Sequence, residues 1–164
     1  MPVNEQHQLR GRLTITLSNA HGDVVKQHTV NNLITTAGKK LVAEMFSGVI
    51  KETPEIKIAI GSGGGDGDGK SLANAADIQL KKHVDSADAN ISAPKVEGDI
   101  EKSAVATVSA IFESLSPGME QSISEAGIVF NFVGNPAVLY NRVTFPEVTR
   151  NANLQMTMTW EVAF

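Results

Sequence analysis

An all-β fold, a β-sandwich of about eight mostly antiparallel strands with one short amphipathic helix, is what this sequence predicts. Three observations carry that expectation. Segments of strict apolar/polar alternation recur along most of the chain, and turn chemistry separates them at Asn19–Asp23, Pro117-Gly118 and Gly134-Asn135-Pro136. Only one segment has convincing helical spacing. The 164 residues fit a single domain, 1–164, and a chain of this length buries roughly 70% of the surface its unfolded form exposes.

The elements follow in order. Leu9, Gly11, Leu13, Ile15 and Leu17 alternate with Arg and Thr, the period of a half-buried strand. Asn19–Asp23 turns the chain and Val24–Val30 returns it, so residues 1–30 read as an N-terminal hairpin that packs on the sandwich or serves assembly. The helix spans Ala37 to Ser47. Thr35 or Thr36 caps it, Ala37, Leu41, Val42, Met45 and Phe46 form its apolar face, and Gly48 is placed to end it in a left-handed conformation.

Ile56–Ile60 is a strand that runs into the segment GSGGGDGDGK, and Ser71–Lys82 reads as a short helix or a strand. From Ile91 the period is two almost throughout, with strands at Ala104–Phe112, Ser122–Phe132 and Val138–Phe145. Leu154–Phe164 alternates most cleanly of all, and such a strand must be tied into a sheet or leave its apolar face in water.

Composition removes several function classes. Apolar residues make up 41% and charged residues 20%, a globular rather than disordered balance. With no cysteine there is no disulfide framework, Cys-ligated metal or thiol nucleophile. The formal net charge is −4, and after position 100 the only basic residues are Lys102, Arg142 and Arg150. A nucleic-acid partner needs a basic stripe, so none is expected. No run approaches the ~18 apolar residues of a membrane span. The polar opening MPVNEQHQLRGR carries no readable signal peptide, so a soluble protein is expected.

One segment looks like chemistry. Gly64–Ser71 matches G-x-x-x-x-G-K-[ST], in which glycine amides cradle phosphates, Lys70 neutralises them and Ser71 holds magnesium. Asp66 and Asp68 would put two negative charges inside that cradle, and the strand–helix alternation of a parallel sheet is missing. As a calcium site, Asp66, Asp68 and Asp77 offer oxygens, but Lys70 and Ser71 break the EF-hand pattern. A flexible, solvated connecting loop is the expected reading.

The other candidates are thinner. His7, His21, His28 and His83 lack metal-site spacing. Glu97, Asp99 and Glu101 alternate as a pair-forming set of carboxylates would, yet beside Gly98 they read as a solvated edge. Trp160 and Tyr140 fall in strand patterns and read as core rather than as a sugar platform. No catalytic, cofactor-binding or metal-binding residue is therefore assigned.

Read in order, several motifs resemble a family of small bacteriophage virion proteins of the tail-fibre and baseplate-associated type. They are Asn32–Gly38 opening the helix, Leu41–Gly48, Ile58–Gly63, Ser124–Phe130, Leu139–Phe145 and the terminal Leu154–Phe164. The resemblance covers about positions 31 to 164 and departs from the family pattern in the Gly/Asp-rich run 63–69. It implies a non-enzymatic structural component of the virion, in the tail, baseplate or fibre attachment, assembled in the host cytoplasm. The implied partners are other virion proteins and copies of itself as a homo-oligomer, with no cofactor. A capsid decoration or cement protein is the alternative within the virion; a small carbohydrate- or calcium-binding module using the 61–71 loop is the alternative outside it. Glu125 and Arg142, on neighbouring expected strands, read as an ordinary surface ion pair worth under about 1 kcal/mol.

Overall fold

The computed structural model describes residues 10–97 and 103–164. It is a sandwich of two antiparallel sheets with a single helix among the described residues. Eight strands have six residues or more: β1 (Arg10–Ser18), β2 (Val24–Asn31), β4 (Glu55–Gly61), β5 (His83–Asp88), β8 (Ser103–Phe112), β9 (Glu120–Asn131), β11 (Asn141–Asn151) and β12 (Gln155–Ala163). Four short ones join them: β3 (Leu33–Ile34), β6 (Asn90–Ile91), β7 (Lys95–Glu97) and β10 (Val138–Leu139). One sheet has the order β2-β1-β12-β8-β6 with β7 on β8; the other has β3-β11-β9-β4-β5 with β10 on β9.

Alternation in the sequence becomes the two faces of each sheet. Leu13, Ile15 and Leu17 of β1 face inward beside Met156, Met158, Trp160 and Val162 of β12. From the opposite sheet Ile58, Ile60, Ile128 and Val143 close the core against them. The hairpin of β1 and β2 thus packs on the sandwich: β1 pairs with β12 from Arg10↔Ala163 to Ser18↔Gln155, and β2 is left as the sheet edge. Trp160 and Tyr140 are both core residues, 0% and 3% exposed.

Three local readings change. Ser71–Lys82 is neither helix nor strand; it is a loop with turns whose Leu80 folds back onto the outer face of the second sheet. The expected strand Val138–Phe145 is interrupted at Tyr140 and then runs on to Asn151. Pro146 lacks the N–H that a ladder requires, and the register against β9 shifts between Thr144 and Val148, so a bulge accommodates the proline and pairing resumes. Within that continuation Arg150 is buried; it donates to the Glu113 carbonyl at 2.7 Å and lies 5.6 Å from the Phe112 ring centre.

The third change concerns α1 (Thr36–Phe46). Thr35 is its N-cap: its hydroxyl accepts from Gly38 N–H at 2.9 Å and donates to the Leu139 carbonyl at 2.6 Å. A Cβ on Gly38 would stand 2.2 Å from the Tyr140 carbonyl oxygen, so glycine lets the first turn press onto the backbone there. That anchor holds the helix by its N-terminal end. Leu41 is buried as expected, but Met45 and Phe46, expected on the packed face, are 41% and 95% exposed because the last turn carries past the sheet. Gly48, at φ +73°, ends the helix.

Candidate functional site

The site worth building is the loop that joins β4 to β5, residues 62–82. Its chemistry begins with a charged residue inside an apolar strand. Ser124-Glu125-Ala126-Gly127-Ile128 lies on β9, where Ala126 and Ile128 face the core. Glu125 and Gly127 therefore point to the outer face, which is where the loop lies. Arg142 on β11 points the same way, because its neighbour Val143 is in the core.

Glu125 and Arg142 are not the surface pair expected from the sequence. They are 0% and 1% exposed, and the guanidinium meets Oε2 of the carboxylate at 2.8 Å through both Nε and Nη2. The loop lies over them and supplies the remaining partners, which a buried pair needs because two charges removed from water are costly unless every lone pair and N–H is used. Oε1 accepts from Gly63 N–H at 3.0 Å and Lys82 N–H at 2.7 Å, and Oε2 from Lys81 N–H at 2.9 Å. Arg142 Nη1 donates to Leu72 O at 3.0 Å, to Asp77 Oδ2 at 2.9 Å and to Ser71 Oγ at 3.2 Å. Its Nη2 reaches Ser71 O at 3.1 Å. One ion pair thus fastens both ends of the loop and its middle to two strands.

The glycines serve this close approach. A Cβ on Gly61 or on Gly63 would come within 2.6 Å of Glu125 Oε1, and one on Gly64 would stand 2.0 Å from the Ser124 carbonyl oxygen. Residues 66–70 stay out in solvent, as do the side chains of Leu72, Ile78, Lys81 and Lys82. The loop remains a connector, but a clasped one rather than the flexible one expected.

This arrangement bears on the two readings of Gly64–Ser71. At both ends of the run the amides are engaged within the fold: Gly64 with Ser124 Oγ at 3.0 Å, Gly65 with the Ser71 carbonyl at 3.3 Å, Lys70 with the Gly67 carbonyl at 2.9 Å and Ser71 with the Gly63 carbonyl at 2.9 Å. Lys70 lies 3.9 Å from Glu147, and no helix follows Ser71 to lend its N-terminus. The calcium set is likewise drawn apart. Asp77 turns inward to Arg142 and to Asn74 N–H, while Asp66 and Asp68 face solvent, and no group of three metal-ligating side chains occurs among the described residues.

The three described histidines stand at separate places in the fold. His21 lies in the β1–β2 turn, His28 on β2 and His83 at the start of β5. His7, Asp99 and Glu101 lie outside the described residues, as does the side chain of Glu97. What sequence reading missed was Asp77 as a partner of Arg142, and the Lys81 and Lys82 amides as partners of Glu125. The signal for a buried pair was present: an acid flanked by Ala, Gly and Ile in a strand has no solvent to face.

Tyr140 is the other unusual group. Its hydroxyl is buried without a hydrogen-bond partner among the described residues, and burial pushes its pKa up to about 12. Its ring lies 5.7 Å from that of Phe130, centre to centre. No helix of the described residues is long and apolar enough to cross a membrane. Comparison with protein-family models, with curated proteins and with solved structures gives no match.

Proposed function

We propose that this chain is a non-enzymatic structural component of a bacteriophage virion, placed in the tail, the baseplate or the attachment of a fibre. The observation that carries the reading is where the motifs of the family resemblance come together. Asn32–Gly38 supplies the Thr35 cap and the Gly38 contact on Tyr140. Ile58–Gly63 supplies the amide that binds Glu125, Ser124–Phe130 supplies Glu125 itself, and Leu139–Phe145 supplies Arg142. Segments far apart in the chain thus meet on one sheet, where Glu125 bonds Gly63 and Arg142 and Thr35 bonds Leu139.

Motifs used in that way specify a rigid scaffold, and a scaffold is what a repeated part of a particle requires. Other virion proteins and further copies of this chain are the partners the reading calls for.

Gold-labelled antibody against the chain, applied to intact particles and viewed by negative stain, tests it. Gold on the tail or its distal end is the expected result. Gold over the head would make the protein a capsid decoration protein instead. Absence of gold from both intact and disrupted particles would overturn the virion reading.

A further inference from the structure

Clasping both flanks of the β4–β5 loop leaves a short tip between them, and that tip carries a reactive sequence. Gly65 N–H donates to the Ser71 carbonyl at 3.3 Å, and Ser71 N–H to the Gly63 carbonyl at 2.9 Å. Beyond those bonds run Asp66-Gly67-Asp68-Gly69, all exposed. Asp66-Gly67 and Asp68-Gly69 are the only Asp-Gly pairs in the sequence. Such a pair rearranges without an enzyme, because the glycine puts no Cβ beside its own nitrogen and leaves the backbone free to turn.

The two pairs are held differently. Lys70 N–H donates to the Gly67 carbonyl at 2.9 Å, which closes a β-turn with Asp68 and Gly69 at its centre, and Gly69 has a φ of +71°. Cyclisation of Asp68 onto the Gly69 nitrogen needs a ψ outside those that type I and type II turns allow at that position, so the turn has to open first. Asp66 stands before the turn. Neither its own N–H nor that of Gly67 makes a hydrogen bond among the described residues. Lys70, the nearest cation in sequence, is turned to Glu147 instead, at 3.9 Å. A Cβ on Gly67 would meet nothing nearer than Lys70 Cδ at 3.4 Å, so the backbone there has room to rotate.

We infer that Asp66 is a site of spontaneous isomerisation, in which its link to Gly67 moves from the main-chain carbonyl carbon to Cγ. The Gly67 nitrogen attacks Cγ of the neutral carboxylic acid. A C–N bond forms, the bond from Cγ to the hydroxyl breaks, and the amide proton leaves with that hydroxyl as one water. Water then adds back to the succinimide. Opening at the main-chain carbonyl carbon gives isoaspartate, with Cγ in the main chain and the α-carboxyl as the side group; opening at Cγ restores aspartate. Nothing is oxidised or reduced, and water is the only co-reactant. The product lengthens the main chain by one methylene. Gly65 and Ser71 stay bonded to each other, so the change is confined to the tip and the clasp on Glu125 and Arg142 persists. This chemistry belongs to the loop alone and does not depend on the virion reading.

Ageing the full chain in mildly acid buffer, one sample folded and one unfolded in guanidinium chloride, tests it. Both are then digested with trypsin after unfolding, and the 58–70 peptide is separated by reversed-phase chromatography. Electron-transfer fragmentation breaks the extra main-chain carbon–carbon bond of isoaspartate and so tells position 66 from 68. In the folded sample isoaspartate is expected to build up at 66 about two- to tenfold faster than at 68, the factor that one turn hydrogen bond supplies. In the unfolded sample the two positions, each followed by glycine, should convert alike. Gly67→Ala is expected to lose most of the product at 66 with no loss of stability. Equal conversion in the folded sample, or an excess at 68, would overturn the inference. So would conversion in the unfolded sample alone, which would mean that the tip is held as firmly as its flanks. Product at 66 that persists undiminished in Gly67→Ala would overturn it too, because the open approach of the Gly67 nitrogen would not be the cause.

Discussion

Replacing Arg142 with Met tests whether the ion pair beneath the loop holds this part of the fold. The substitution keeps much of the side chain's bulk and removes the guanidinium from Glu125, Asp77 and the carbonyls of Ser71 and Leu72. Glu125 stays fully buried with three backbone N–H groups for company and no counter-charge. Breaking a buried pair from one side costs about 3–5 kcal/mol. A domain of this size has roughly 5–15 kcal/mol in total, and each kcal/mol moves its melting temperature by about 2–4 °C. A fall on the order of 10 °C is therefore expected.

Urea unfolding read by the fluorescence of Trp160, the single tryptophan and 0% exposed, measures the global loss. Trypsin measures the local one, because Lys70, Lys81 and Lys82 all lie in the clasped segment. Glu125→Gln should cost a similar amount, since its amide –NH₂ faces donors from Arg142 and, if turned, from Gly63 and Lys82. The double variant should then lose less than the sum of the singles by more than about 1 kcal/mol, the sign of direct coupling. A loss under about 1 kcal/mol in either single variant, with the loop still resistant to trypsin, would put the pair in the surface class and refute the clasp.

Three further outcomes follow from the same geometry. Tyr140 is the only tyrosine, so phenolate absorbance titrates it directly; the folded protein should ionise near pH 12. The unfolded chain gives up that proton near pH 10, binds fewer protons between the two values, and stability should fall by about 2–3 kcal/mol as pH rises through that window. Tyr140→Phe should abolish that loss, and a folded-state titration near pH 10 would contradict the burial argument. Gly64→Ala should cost about 1–3 kcal/mol in urea unfolding because its Cβ meets the Ser124 carbonyl, whereas Gly67→Ala, with nothing closer than 3.4 Å, should be neutral or slightly stabilising; equal effects would mean the loop is not pressed on the sheet. Thr35→Val should lower stability by about 1–2 kcal/mol through loss of the α1 cap and of the bond to Leu139, and an unchanged midpoint would show the cap to be dispensable.

Most strands were legible because alternation, turn residues and capping act over a few neighbouring positions. Leu13, Ile15 and Leu17, or Met156, Met158 and Trp160, declare an inward face without reference to any partner. Thr35 and Gly48 likewise announce the ends of α1 by their own backbone preferences. By itself the sequence therefore determined the all-β class, the single helix and the alternating core. Only the tertiary structure decided how deep a polar residue lies. Glu125 and Arg142 read as a surface pair until the loop from Gly63 to Lys82 closes over them, and such a closure joins residues 43 to 79 positions apart. Burial of that kind belongs to the assembled sheets and not to any local window. The same holds for Phe46, apolar and in phase with the packed face, yet carried past the edge because α1 is fastened at its other end.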